Sequence, residues 1–352
     1  MRFVKTQSNA MRFVAAAAAG LCICLCMYTT SRGATTIKMG SLAPENSPWD
    51  NGLVSLAATW DSISNGSVTL RMYPGGVAGD EDDMIRKMRI GQLHAAAISG
   101  VGLSRLVPDI ITVHLPLMVR SIDEAMYVLR RMQPSFDKEL EKKGFKVLAW
   151  TPIGWVHFFS KQPVTAPAHL KEAKLFMYEG DPDAVRIYKE MGFSPVPLAI
   201  TDLMPALQSG MVDAFSNTPV AAASYQWFGL APHMFGVKWA PLVGCIVVST
   251  RAWDRIPQQL HEPLVAAAHR TANELKDKTD ALEDKAMSAM KQHGLQVHMP
   301  SEQEVAAWKD VTAQGIARMQ GRSFSNESYE RLITHIKAYR RDHPVQGVTI
   351  VE

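Results

Sequence analysis

Cysteine is scarce in this chain and unevenly placed. There are four in 352 residues, with Cys22, Cys24 and Cys26 crowded near the N-terminus and Cys245 far from them. If the N-terminal segment is removed, Cys245 is left single, so no internal disulfide can form and stability must come from a buried core. With 47% hydrophobic residues, a core of that size is within reach. Signatures of catalysis are missing as well. The sequence holds no His-Glu-x-x-His, no Gly-x-Ser-x-Gly and no Cys or His cluster at metal spacing. Gly75-Gly76-x-x-Gly79 lacks the Lys-Ser/Thr of a phosphate cradle and leads into Asp80-Glu81-Asp82-Asp83, which would repel phosphate and lacks the order of a calcium loop. No enzyme, no cofactor and no metal are expected. Repeats, heptads and charge tracts are absent too, which leaves no feature dedicated to binding a macromolecule.

What is present begins with a targeting segment. Arg2, Lys5 and Arg12 form a basic start, an apolar stretch runs from about Phe13 to Met27, and Ser31-Arg32-Gly33 is small enough for a signal-peptidase site. Residues 1–33 are read as a signal peptide cleaved near Gly33 or Ala34. The apolar stretch is short of the roughly 20 residues that span a bilayer. A lipid anchor is the rival reading, but Cys22, Cys24 and Cys26 follow Leu21, Ile23 and Leu25 rather than small residues, and the free form is favoured. The cut removes four basic residues (Arg2, Lys5, Arg12, Arg32) and no acid, taking the formal charge from +3 to −1. The apparent basicity thus belongs to the leader, and no nucleic-acid partner is expected.

The rest of the chain alternates strands and helices. Ile37-Lys38-Met39-Gly40 and the alternating Ser67–Tyr73 read as strands around a helix from Trp49 to Ser62. Asp80 to Asp83 opens a second helix, where acids favour the positive end of the dipole, and a short apolar strand follows from His94 to Ser99. A second α/β cycle starts after the Pro-rich stretch 161–167. It has strands at Lys174–Tyr178, Pro195–Leu198 and Val212–Phe215, a helix from Asp183 to Met191, and a helix capped by Thr201. Gly244–Ser249 reads as a buried strand of the first module, and Gln258 to His293 as one long helix spanning on the order of 50 Å. The fold class is α/β, with mostly parallel sheets covered on both faces.

In order and spacing, several motifs resemble the solute-binding (DctP-like) components of tripartite ATP-independent periplasmic (TRAP) transporters. They are Met39-Gly40 with Trp49, Tyr73-Pro74-Gly75-Gly76, Lys87-Met88-Arg89-x-Gly91-Gln92-Leu93, Leu115-Pro116, Ala206-Leu207-Gln208-Ser209-Gly210 with Asp213-Ala214, and Ala252-Trp253. The resemblance covers about residues 37 to 340. It implies a two-lobed periplasmic binding protein fold with hinge strands and a long bridging helix, a ligand held in the cleft, and delivery to TRAP membrane subunits. The lobes are assigned as 34–153 with 243–283 (lobe I) and 154–242 with 284–345 (lobe II), leaving 346–352 as a flexible tail. The chain is therefore expected in the periplasm.

One departure bears on the ligand. The family pattern Asp-Leu-Lys-Gly-Leu-Lys-Ile-Arg aligns with His169 to Phe176, so Phe176 stands where the resemblance implies a carboxylate-clamping arginine. A second implied arginine aligns with His157. Neither side chain offers the planar fork of donors that guanidinium gives a carboxylate. Trp155, Phe176, Tyr178, Trp227 and Trp239 surround these positions, and Glu179 ends the strand that carries Phe176. Asn217 aligns with a ligand-binding asparagine, and Ser41 and Ser99 follow first-lobe strands on the opposite wall. Each aromatic can be core instead of wall, His157 can be a structural histidine, and Glu179 or Asp181 can simply cap the helix that begins at Pro182. The favoured ligand is small and apolar or aromatic-contacting. An organic-acid receptor with a non-arginine site and a sensing or scavenging protein are the alternatives. A helical-repeat periplasmic partner is also considered, from divergent members of the family.

Overall fold

The computed structural model describes residues 34–344. The expected signal peptide with its three cysteines, and the expected tail 346–352, lie outside the described residues. Strand β1 (Thr35–Ser41) pairs in parallel with β2 (Val68–Tyr73) and with β3 (Ala95–Ser99). In β1 the alternate residues Ile37 and Met39 are fully buried, as the apolar pattern requires. Helix Pro48–Ile63 starts where Ser47 accepts from the Asp50 amide and Pro48 takes a first-turn position. Helix Glu81–Arg89 has Asp80 as its cap, acids in the first turn and Arg86, Lys87 and Arg89 in the last, so both ends complement the dipole. The expected Thr201 cap does not form: Thr201 lies in a 3-10 turn, Ile200–Asp202, and the α-helix begins after it at Leu203.

Two strands tie the lobes together. Strand β4 (Phe145–Ser160) and strand β9 (Ala240–Ser249) run antiparallel, and β9 also pairs with β3. Through Val156, β4 belongs to the first-lobe sheet. From His157 it pairs instead with β7 (Ala214–Asn217), beyond which come β5 (Lys174–Tyr178) and β6 (Ser194–Leu198). Strand β8 (His233–Phe235) joins the end of β4 to β10 (Gln296–His298). The strand order is β2-β1-β3-β9-β4-β7-β5-β6, so each lobe keeps its parallel strands and the antiparallel pair is the crossing.

The crossing carries a β-bulge. Pro152 pairs with Val243 and Gly154 with Leu242, so Ile153 is the extra residue. Gly154 takes φ +144°, and a Cβ there would sit 2.2 Å from Oε1 of Glu283. Glu283 comes from the long helix Gln258–Gln292 and accepts the Trp155 amide just past the bulge. Burial pushes its carboxyl up to about 7. The Trp155 amide and the Lys238 ammonium pull the other way, and Asp280 and Asp284 add to the rise. The long helix packs on helix Pro48–Ile63 in one lobe, on β4, and on helix Pro219–Ser224 in the other, as a bridge should.

The C-terminal helix departs from the expected lobe assignment. Asn326–Asp342 packs on the first-lobe helix Ile122–Lys142, where Arg340 donates to the buried Glu124 carboxylate at 2.7 Å. Leu332 and Ile336 join the first-lobe core. The end of segment 284–345 thus returns to the first lobe instead of staying in the second.

Candidate functional site

A cavity of about 460 Å³ lies where the two lobes meet. The ends of β1 and β3 supply Ser41 and Ser99 to its wall, the crossing strand β4 supplies Thr151, Ile153, Val156 and Phe158, and the second lobe supplies Phe176, Tyr178, Asn217, Trp227 and Trp239. Seven of the ten residues expected at the site are therefore brought together.

Trp155, His157 and Glu179 are not on this wall. The bulge explains the first two: Ile153 faces the cavity, and after the extra residue Val156 and Phe158 face it, turning Trp155 and His157 away. Trp155 is buried in the first-lobe core. His157 is buried with its Nδ1–H donating to the Phe235 carbonyl at 3.1 Å, and burial lowers its pKa to about 4, so the ring is neutral at neutral pH. It is a satisfied structural histidine. Glu179 lies at a separate surface depression beside helix Pro182–Glu190, whose cap is Asp181.

No lysine or arginine lines the cavity among the described residues, and its only charged wall residues are Glu81 and Asp181. Both are engaged. Glu81 is buried and accepts from the Ser99 amide at 2.6 Å and the Ser99 hydroxyl at 2.7 Å; burial raises its pKa against those two bonds. The carboxylate of Asp181 accepts from the Ala184 amide. Ser41 is likewise used internally, accepting from the Ala43 amide. Asn217 accepts from the Thr218 amide through its oxygen, which leaves its NH₂ as donor. Phe176 is 6% exposed and shares a core with Phe159, Phe215 and Trp227, giving the cavity only part of its ring.

Contacts across the cleft hold the lobes together in this structure. Tyr225 stacks on Trp227 and donates its hydroxyl to the Leu42 carbonyl of the first lobe. Arg105 reaches from the first lobe to within 3.8 Å of Asp181, while also facing Asp82 and the ring of Tyr178.

Sequence reasoning did not single out two contributors. His114 lines the first-lobe wall; its Nδ1–H donates to the Pro241 carbonyl, and burial lowers its pKa to about 4. Helix Glu302–Met319 supplies Trp308, Val311, Thr312, Gly315 and Met319. Their spacing follows one helical face and was a readable signal.

A family model described as bacterial extracellular solute-binding protein, family 7 (DctP), matches residues 39–322. The sialic acid-binding periplasmic protein SiaP of Vibrio cholerae is 23% identical over 273 residues, 76% of this chain and 84% of its own length. Among solved structures, the galactonate-bound sugar acid binding protein DctPAm of Advenella mimigardefordensis superposes with a TM-score of 0.82 at 17% identity, covering 87% of this chain and 98% of that one. A TRAP solute-binding protein of Fusobacterium nucleatum with bound sn-glycerol-3-phosphate gives 0.81 at 19% identity, covering 88% and 99%. At those identities the structures establish the two-lobed fold, and the family match, which spans most of the chain, establishes a binding protein and not an enzyme. This chain belongs to the DctP family, family 7 of the bacterial extracellular solute-binding proteins.

Proposed function

We propose that the protein is the periplasmic solute receptor of a TRAP-type transporter, that it captures an uncharged, largely apolar organic molecule between its lobes, and that it passes this molecule to membrane subunits. The observation that carries the ligand class is the cavity wall, which among the described residues has two carboxyl groups and no lysine or arginine. The relatives' sugar acids and phosphate are anions; the cation beside the wall, Arg105, already faces Asp82 and Asp181, so an anion buried here would lack a free counter-charge, at a cost of several kcal/mol. An apolar body against Phe176, Trp227 and Trp239, with one acceptor facing the Asn217 NH₂, incurs no such cost. Tyr178, Ser41 and Ser99 complete the proposed contacts. A helical-repeat periplasmic partner has no support among the comparisons and forms no part of this reading.

Native mass spectrometry of protein purified from its own host, with extraction of the bound compound, tests the ligand class. An uncharged apolar compound at stoichiometric occupancy is expected. Recovery of a sugar acid or dicarboxylate at that occupancy would overturn it.

A further inference from the structure

The cavity does not stop at the cleft. Phe176 and Met177 are neighbours on β5 and point to opposite faces of the sheet, yet both line it, so the space wraps around the end of the strand. Phe176 packs with the core on one face, and Met177 with Phe158, Tyr188 and Trp308 on the other. On this second face the cavity is roofed by two helices. Pro182–Glu190 contributes Ala184, Ile187 and Tyr188, and Glu302–Met319 contributes its apolar stripe with Gly315 in the middle. The polar side-chain groups that those two helices add are the Tyr188 phenol, the Trp308 indole N–H, which donates to the Thr165 carbonyl, and the Thr312 hydroxyl, which is buried without a partner among the described residues.

We infer that this rear chamber is a pocket for an unbranched hydrocarbon chain, so that the ligand is an amphipathic molecule with its polar end in the cleft and its tail under helix Glu302–Met319. The inference rests on the apolar-ligand reading above and adds the shape and chemistry of the ligand's far end. A compact polyol would leave the chamber unfilled, whereas a flexible chain can follow the turn around β5. Gly315 sets the depth: a Cβ there would meet only Met191, at 3.4 Å, so Gly315→Ala fits while Gly315→Leu would project into the chamber.

The test is calorimetric and tryptophan-fluorescence titration of the protein with 1-hexanol through 1-undecanol, with 2-naphthol as a compact probe that fits the cleft alone. Affinity is expected to rise about fourfold per added methylene until the chamber is full and then level off. Gly315→Leu should end the rise at a shorter chain and leave 1-hexanol and 2-naphthol unchanged, and Gly315→Ala should follow the wild type. If Gly315→Leu fails to fold, Val311→Phe fills the same space. A flat chain-length series alongside tight 2-naphthol binding overturns the chamber and spares the apolar cleft. Failure of every probe to bind overturns both readings.

Discussion

Glu283 offers a quantitative check on how the hinge is held. Its carboxyl titrates near 7 in the folded protein against an ordinary value of 4.5, chiefly because it is buried behind the Gly154 bulge. Between those values the folded chain binds a proton that the unfolded chain has released, so stability falls as pH rises from about 4.5 to 7 and is level above. At 1.36 kcal/mol per pH unit, the span corresponds to about 3 kcal/mol. Glu283→Gln keeps an oxygen to accept the Trp155 amide but cannot ionise. Urea unfolding of both proteins between pH 5 and pH 8 should therefore show the variant gaining on the wild type by roughly 2–3 kcal/mol across that window, with most of the gain complete by about pH 7. A constant difference between the two proteins at every pH would refute the claim that a buried, protonatable carboxyl braces the crossing strand.

Three further outcomes follow from contacts already described. Gly154→Ala drives a Cβ onto Glu283 at a φ that side chains avoid, and chemical denaturation should register a loss on the order of 3 kcal/mol. Tyr225→Phe removes the hydroxyl that reaches the Leu42 carbonyl across the cleft; a net bond of about 1 kcal/mol should appear as roughly fivefold faster ligand release in stopped-flow displacement. Phe176→Arg should lower stability by on the order of 4 kcal/mol, because the charge enters the Phe159–Phe215–Trp227 core, and an unchanged unfolding midpoint would show that the side chain swings out into the cavity.

The parts of the fold written in local pattern were legible in the sequence. Alternation in β1 and β2, the acidic start of helix Glu81–Arg89, and the long apolar stripe of Gln258–Gln292 all depend on neighbours a few residues apart. Phe176, singled out by its alignment with the family's arginine, lines the cavity, although most of its ring went to the core. His157 was expected at the site and faces away for a physical reason: a single inserted residue, Ile153, reverses which face each later side chain of β4 takes, and its local signal, Pro152 and Gly154 inside a strand, marks a bulge without fixing its register. The lobe assignment failed at 326–342 because that helix is placed by contacts such as Arg340 to Glu124, 216 residues apart, where sequence periodicity carries no information.

The crossing strands also dictate an order of assembly. In the first lobe, β9 lies between β3 and β4, so the middle of a sheet that begins at Thr35 is supplied by residues 240–249, and its covering helices end only at Asp342. A chain emerging N-terminus first therefore has no finished domain to fold until nearly all of it is present. The pairings that close this sheet join segments about 150 residues apart, and closing loops of that length carries an entropic cost that slows folding.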